Sequence, residues 1–200
     1  AAHLALLLTY RILRDELPNW WDRVAQWLQL ATESEANSRQ KERGQILEEL
    51  SHEWKWIQAE FPKNEDSWAN EVVLLHGDAQ SLNVLINNAS GEDIRLIDYE
   101  YACYGPRAWD IANTWLEYAD MNNLKADFAL EYPSLQEQLD FLHGYDQAVD
   151  EATLHLRASA VNRYAILSHF QWTIWSLIQD AASTKEIAGD YDYLEYGLER

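Results

Sequence analysis

A carboxylate, an amide and a second carboxylate stand at intervals that could serve chemistry. Asp78 and Asn83 lie within His76-Gly77-Asp78-Ala79-Gln80-Ser81-Leu82-Asn83, and Asp98 follows fifteen residues after Asn83. Transfer of a phosphoryl group to a hydroxyl calls for such a set. One carboxylate orients the attacking hydroxyl and accepts its proton, while a side-chain amide and a second carboxylate hold Mg²⁺ on the nucleotide phosphates. On that reading Asp78 is the catalytic base, and Asn83 and Asp98 are metal ligands. His-Gly-Asp alone also makes an ordinary turn, in which Gly lets the backbone bend and Asp caps it. The interval from Asp78 to Asn83, and the apolar run 94–97 that leads into Asp98, favour the chemical reading.

The elements that must position these groups follow from periodicity. Apolar residues recur at three- and four-residue spacing over 4–16 and 20–30, with Pro18 between, so two helices are expected. A polar stretch without period, 31–41, reads as a loop, and a third helical stripe runs through Ile46, Leu50, Trp54 and Ile57 to Phe61, where Pro62 ends it. Short apolar runs at 72–75, 83–86 and 94–97 read as strands, the last two joined by the turn residues Asn87, Asn88, Ser90 and Gly91. After Pro106 the helical period returns, and Ser134 with Glu137 forms a capping box behind Pro133. One long helix spans about 153–182, and a short one holds Tyr193 and Tyr196. With no repeat and no composition break, residues 1–200 read as a single α+β domain, mainly helical, with a small β-hairpin inset carrying the catalytic and metal residues.

Composition excludes several classes. The 200 residues are 48% hydrophobic, enough for a real core, and 34 acidic against 15 basic residues give a net charge of −19. That charge repels nucleic acid and anionic lipid surfaces. The lone Cys103 removes internal disulfides and suits a reducing, cytoplasmic compartment. No apolar run approaches the ~20 residues of a membrane span, so no transmembrane segment is expected. Ten Trp and eleven Tyr are a heavy aromatic load for one domain, and some are expected to line a pocket.

Two further strings carry a resemblance. The Asp78-to-Asn83 interval is that of the protein-kinase catalytic loop. The segment from Leu96-Ile97-Asp98-Tyr99-Glu100-Tyr101 through Arg107-Ala108-Trp109-Asp110-Ile111-Ala112-Asn113 resembles the choline/ethanolamine kinase signature, and Ser168-His169-Phe170-Gln171-Trp172-Thr173-Ile174-Trp175 is similar to a later stretch of that family. The resemblance implies the C-terminal lobe of a protein-kinase-like fold and transfer of the γ-phosphoryl group of ATP, with Mg²⁺, to choline or ethanolamine, the first step towards the corresponding phospholipid. It implies Asp78 as base, Asn83 and Asp98 as metal ligands, Gln80 near the acceptor, and Tyr101, Glu117, Trp172, Trp175 and Tyr193 as a cage for the ammonium head. A quaternary ammonium donates no hydrogen bond, so aromatic faces with a nearby carboxylate suit it, and Trp172 and Trp175 share one helix face. An aromatic stripe is otherwise core, and Glu117 reads equally as one solvated acid among 34.

Asp110 reads as a brace for the catalytic loop, His76 as a hydrogen-bonded scaffold residue, and Arg107 as the partner of a nearby acid. The Asn88-Ala89-Ser90 triplet reads as a turn rather than a glycosylation site. The sequence departs from the family at Gly77, where Asn is usual, and at Gly105-Pro106. Its seven glycines make no Gly-rich loop and no Val-Ala-Ile-Lys-like strand precedes the catalytic loop, so a nucleotide-covering N-terminal lobe is expected to be missing and the fragment to be poorly active alone. An aminoglycoside-type phosphotransferase and a non-catalytic kinase-lobe binding module are the other readings, and a homodimer stays open.

Overall fold

A computed structural model describes residues 17–34, 40–61, 68–87, 94–119, 126–183 and 191–200. The helix expected over 4–16, the stop at Pro62 and the Asn88-Ala89-Ser90 turn lie outside them. Helix α1 (Trp20–Glu33) begins where the Asn19 side chain accepts the Trp21 amide at 2.9 Å. Its inward stripe is Trp20, Val24, Leu28 and Ala31, with Arg23 among them. Helix α2 (Gln40–Glu60) follows. The loop expected over 31–41 is thus shorter than its polarity suggests, because neither end contains a Gly or Pro to stop the helices.

The strands form two antiparallel pairs rather than one hairpin. Strand β1 (Val72–Leu75) pairs with β4 (Cys103–Pro106) in the register Val72 with Pro106 and Leu75 with Cys103. Strands β2 (Val84–Ile86) and β3 (Ile94–Leu96) make the expected hairpin, which starts one residue later than its apolar run because Asn83 closes a 3₁₀ turn, Ser81–Asn83. Strand β4 was not expected, since Gly and Pro are depleted in strands. It is tolerated on a two-stranded ladder, where Pro need not donate to a neighbour. Gly105 is required there by packing: a Cβ would lie 2.6 Å from the Cβ of Trp20 and 2.8 Å from Leu75 Cδ1.

Helix α3 (Arg107–Leu116) leads through a 3₁₀ turn, Glu117–Ala119, to α4 (Phe128–Glu131) and α5 (Leu135–Tyr145), which opens on the expected capping box. The axis of the molecule is α6 (Glu151–Ala182), capped by Asp150, against which α1, α2, α3, α5 and the terminal α7 (Tyr193–Glu199) pack. Trp20, Trp109, Trp115 and Tyr164 are fully buried in the core this creates, and Trp54 stacks on Phe170 at 5.6 Å. Two arginines fasten the shell. Arg43 donates to the carbonyls of Leu177 and Ala31, and Arg23 donates to those of Tyr101 and Ala102. Arg107, as expected, pairs with an acid, Glu71. Among the described residues no helix is long and apolar enough to cross a membrane.

Candidate functional site

The loop after β1 is held from two sides. The Asp110 carboxylate, projecting from the first turn of α3, accepts the amides of His76 and Gly77, each at 2.9 Å. Burial pushes the Asp110 carboxyl pKa up, while those two amide bonds and His76 pull the other way. His76 Nε2 lies 2.9 Å from the Ile97 carbonyl, which can only accept, so Nε2 carries the proton and Nδ1 accepts the Asp78 amide at 3.3 Å. His76 therefore ties the Asp78 loop to the chain leading into Asp98. Gly77 has φ +86°, and a Cβ there would sit 2.2 Å from the Tyr101 carbonyl oxygen. Only glycine meets both conditions, which explains its presence in a position where the resembling family commonly carries Asn.

Asp78 is oriented by its neighbours. Asn83 Nδ2 donates to both the Asp78 backbone carbonyl and Oδ2 at 2.9 Å, and Gln80 Nε2 donates to Oδ2 at 3.2 Å. The 3₁₀ turn that buries Asn83 sets this geometry, and the Ile97 amide donates to the Asn83 carbonyl at 3.0 Å, drawing the two metal-ligand candidates together. With the Asn83 amide nitrogen committed to Asp78, its Oδ1 is the atom left for a cation. Asp98, exposed just beyond β3, has φ 64°, a left-handed backbone that Asp tolerates better than most residues. Magnesium takes one or two protein oxygens and completes its shell with water and phosphate oxygens. An exposed carboxylate and an amide oxygen fit that demand. No group of three or more His, Cys, Asp or Glu side chains suited to an all-protein metal cage occurs among the described residues.

Beside these groups stands an aromatic wall. Tyr101 meets Trp172 edge to face at 5.3 Å, Trp172 meets Trp175 at 5.6 Å, and Trp175 meets Tyr193 at 5.6 Å. Trp175 Nε1 donates to the Tyr101 hydroxyl at 3.0 Å, and Trp172 Nε1 donates to the buried Asn113 side chain at 2.7 Å, so the rings are fixed by their polar edges. Tyr101 joins the two halves of the site. Burial is the main cause of its raised pKa, and the charges of Asp78 and Asp98 add to it.

A cavity of about 380 Å³ is lined by all nine residues read from the sequence as catalytic, metal-binding or substrate-binding. Asp78, Gln80, Asn83 and Asp98 come from the loop and hairpin, Tyr101 from the turn before β4, Glu117 from the 3₁₀ turn after α3, Trp172 and Trp175 from α6, and Tyr193 from α7. Glu100, Tyr191 and Tyr196 also line it and were not singled out. Glu100 stood inside the quoted signature, and Tyr196 follows Tyr193 at helical spacing, so both carried a signal. Glu117 is not a solvated acid: its side chain is 9% exposed and pairs with Arg200 at 3.7 Å.

Comparisons with known proteins agree with the α+β fold and give its family. The family profile of choline/ethanolamine kinases matches residues 7–200, and the chain belongs to that family. Human ethanolamine kinase 2 is 35% identical over 159 residues, which cover 77% of this chain and 38% of the relative. A probable choline kinase 2 of Arabidopsis thaliana is 29% identical over 191 residues, covering 90% and 50% respectively. Among solved structures, an ethanolamine kinase of Plasmodium vivax matches with TM-score 0.73 and 29% identity over 89% of this chain and 46% of that one. A choline kinase of Cryptosporidium parvum, 21% identical with TM-score 0.68 over 89% of this chain and 52% of that one, shares the fold. The chain spans about half the length, or less, of these proteins.

Proposed function

We propose that these residues form the acceptor- and metal-binding C-terminal lobe of a kinase that transfers the γ-phosphoryl group of ATP to the hydroxyl of choline or ethanolamine. The observation that carries this reading is the single cavity in which Asp78, Asn83 and Asp98 share space with Tyr101, Trp172, Trp175 and Tyr193. The aromatic faces and Glu117 hold the ammonium head, and Gln80 helps orient Asp78 towards the hydroxyl. Asp78 accepts the hydroxyl proton as that oxygen bonds to the γ-phosphorus and the bond to the bridging oxygen of ADP breaks. Magnesium, held by Asn83 Oδ1 and Asp98, would neutralise charge on the phosphates. The product is a phosphorylated head group suited to phospholipid synthesis, and the free, buried Cys103 suits a reducing cytoplasm.

Four carboxylates line the cavity, Asp78, Asp98, Glu100 and Glu117, which keeps an aminoglycoside polycation as a second candidate acceptor. The deciding experiment is ADP release by a protein extended to the full length of its relatives, with Mg-ATP and choline, ethanolamine or kanamycin in parallel. Turnover with choline or ethanolamine that disappears in Asp78→Asn is the expected result. Turnover with kanamycin alone would move the protein to the drug-modifying class, and silence with all three from a folded chain would leave a binding module.

A further inference from the structure

We propose that Arg23 is a positioning residue for the acceptor: from α1, outside the cavity, it fixes the backbone of Tyr101 and with it the ring and hydroxyl that join the aromatic wall to the Asp78 loop. The inference rests on the acceptor assignment above and goes beyond it by naming what holds that wall in register with the loop. Arg23 is buried on the inward stripe of α1, only 8% exposed, and does not line the cavity. Its Nη1 donates to the Tyr101 carbonyl, and its Nη2 donates to the Ala102 carbonyl at 2.6 Å. The planar fork of a guanidinium serves two successive carbonyls at once, which the single ammonium of Lys does not. The guanidinium carbon also lies 5.9 Å from the centroid of the Trp27 ring, and that ring meets Tyr101 edge to face at 6.0 Å. One side chain thus holds Tyr101 by its backbone and backs a ring that packs on it.

The turn from Asp98 to β4 has two ends, and Arg23 holds one of them. The Ala102 amide donates to the Tyr99 carbonyl at 3.0 Å and closes the turn. Its entry is tied down by Ile97, whose amide donates to the Asn83 carbonyl and whose carbonyl accepts His76 Nε2. Those bonds keep Asp98 beside Asn83 without help from Arg23. The exit carries Tyr101, whose carbonyl oxygen is the atom that leaves no room for a Cβ at Gly77, so the oxygen that Arg23 holds also sets the distance between the turn and the Asp78 loop. From the same residue the ring reaches Trp172 at 5.3 Å and the hydroxyl accepts Trp175 Nε1 at 3.0 Å. Loss of the fork frees the exit and not the entry. The ammonium end of the site then loses a fixed ring, while the metal end keeps Asn83 and Asp98. Helix α1 stays docked on β4 through the Tyr104 amide, which donates to the Pro18 carbonyl at 3.0 Å.

The test is a cycle of Arg23→Met, Tyr101→Ala and the double variant in the protein at the full length of its relatives, with kcat and separate KM values for Mg-ATP and for choline or ethanolamine. In Arg23→Met the acceptor KM is expected to rise by about tenfold, the size of one cation–ring contact, with the Mg-ATP KM little changed. On the Tyr101→Ala background Arg23→Met should raise the acceptor KM no further, because Arg23 acts through Tyr101. An unchanged acceptor KM in Arg23→Met overturns the proposal. So does an equal rise in the Mg-ATP KM or a further rise in the double variant, either of which makes Arg23 a support of the lobe at large. If Arg23→Met fails to fold with two buried carbonyls unpaired, Arg23→Lys, which keeps the charge and one of the two bonds, decides by the same comparisons: a smaller rise in acceptor KM is expected, and a wild-type value overturns the proposal. Should the wild-type enzyme turn over neither acceptor, the kinase assignment fails first. Calorimetric binding of tetramethylammonium then reads the Arg23 effect directly, about tenfold weaker in Arg23→Met and no weaker in the double variant than in Tyr101→Ala. Equal affinity in wild type and Arg23→Met, or no binding to the wild type, overturns it.

Discussion

At Gly77 and Asp110 single atoms decide the shape of the loop that carries Asp78. Gly77 combines φ +86° with a carbonyl oxygen 2.2 Å from where a Cβ would stand. Gly77→Ala is therefore expected to lose about 2 kcal/mol or more of stability, from backbone strain alone before the overlap is counted. Gly77→Asn, although it restores the residue usual in the resembling family, meets the same carbonyl and is expected to destabilise as well. Chemical denaturation of the two variants checks both, and wild-type stability in Gly77→Asn would show that the Tyr101 backbone shifts without cost. Asp110→Asn removes one of two carboxylate oxygens that accept the His76 and Gly77 amides and turns an N–H towards a donor. A fall in kcat of at least about tenfold with KM for the acceptor little changed is expected, since the loop carrying Asp78 is loosened and the aromatic wall is not. Equal losses in kcat and in acceptor binding would instead mean that Asp110 supports the whole site.

Between elements, the seam that matters runs from α3 to α6. Asn113 Oδ1 accepts both Ser168 Oγ and Trp172 Nε1 at 2.7 Å, and Asn113 is completely buried. Asn113→Leu leaves two buried donors unpaired, at about 1–3 kcal/mol each. A melting temperature lower by several degrees, with a raised acceptor KM as Trp172 loses its anchor, is the expected outcome, and a variant that melts lower with unchanged KM would show that packing alone fixes the ring. This seam also shows how far the sequence could be read. The acid–amide–acid loop was legible because its chemistry is local: Asp78 and Asn83 bond each other within one turn, and Asp98 follows a strand whose apolar run is plain. The aromatic wall was legible through the resemblance, because a Trp pair at helical spacing is by itself indistinguishable from core. Strand β4 was not legible, since Gly and Pro are depleted in strands and only the approach of Trp20 and the pairing with β1 make Gly105 and Pro106 part of one. Nor were the anchoring arginines. Arg23 finds its carbonyls 78 and 79 residues away and Arg43 finds one 134 residues away, separations at which no local pattern survives.

For the molecule as a whole, acid and base act on stability through groups that pull in opposite directions. With 34 acidic and 15 basic residues the folded chain repels itself at neutral pH, and mild acidification relieves that repulsion. His169 opposes the relief. It lies in α6 against the Phe128 ring, and burial first, then the charge of Arg200, lowers its pKa from 6.5 to about 4. Between those two values the unfolded chain binds a proton on this histidine that the folded chain refuses, so stability contributed by neutral His169 is present above pH 6.5 and is lost as the pH falls towards 4. A shift of that size corresponds to about 3 kcal/mol over the whole window. His169→Phe keeps a ring against Phe128 and cannot protonate. The difference in unfolding free energy between wild type and this variant, measured by denaturant titration at intervals from pH 7 to pH 4, is expected to move by about that amount in favour of the variant, with most of the change below pH 6. General charge effects are common to both proteins and cancel in the difference. Parallel stability curves across the window would show that His169 opens to solvent and takes up its proton without unfolding the lobe, in which case the Arg200 side of the cavity is far more accessible than its burial implies.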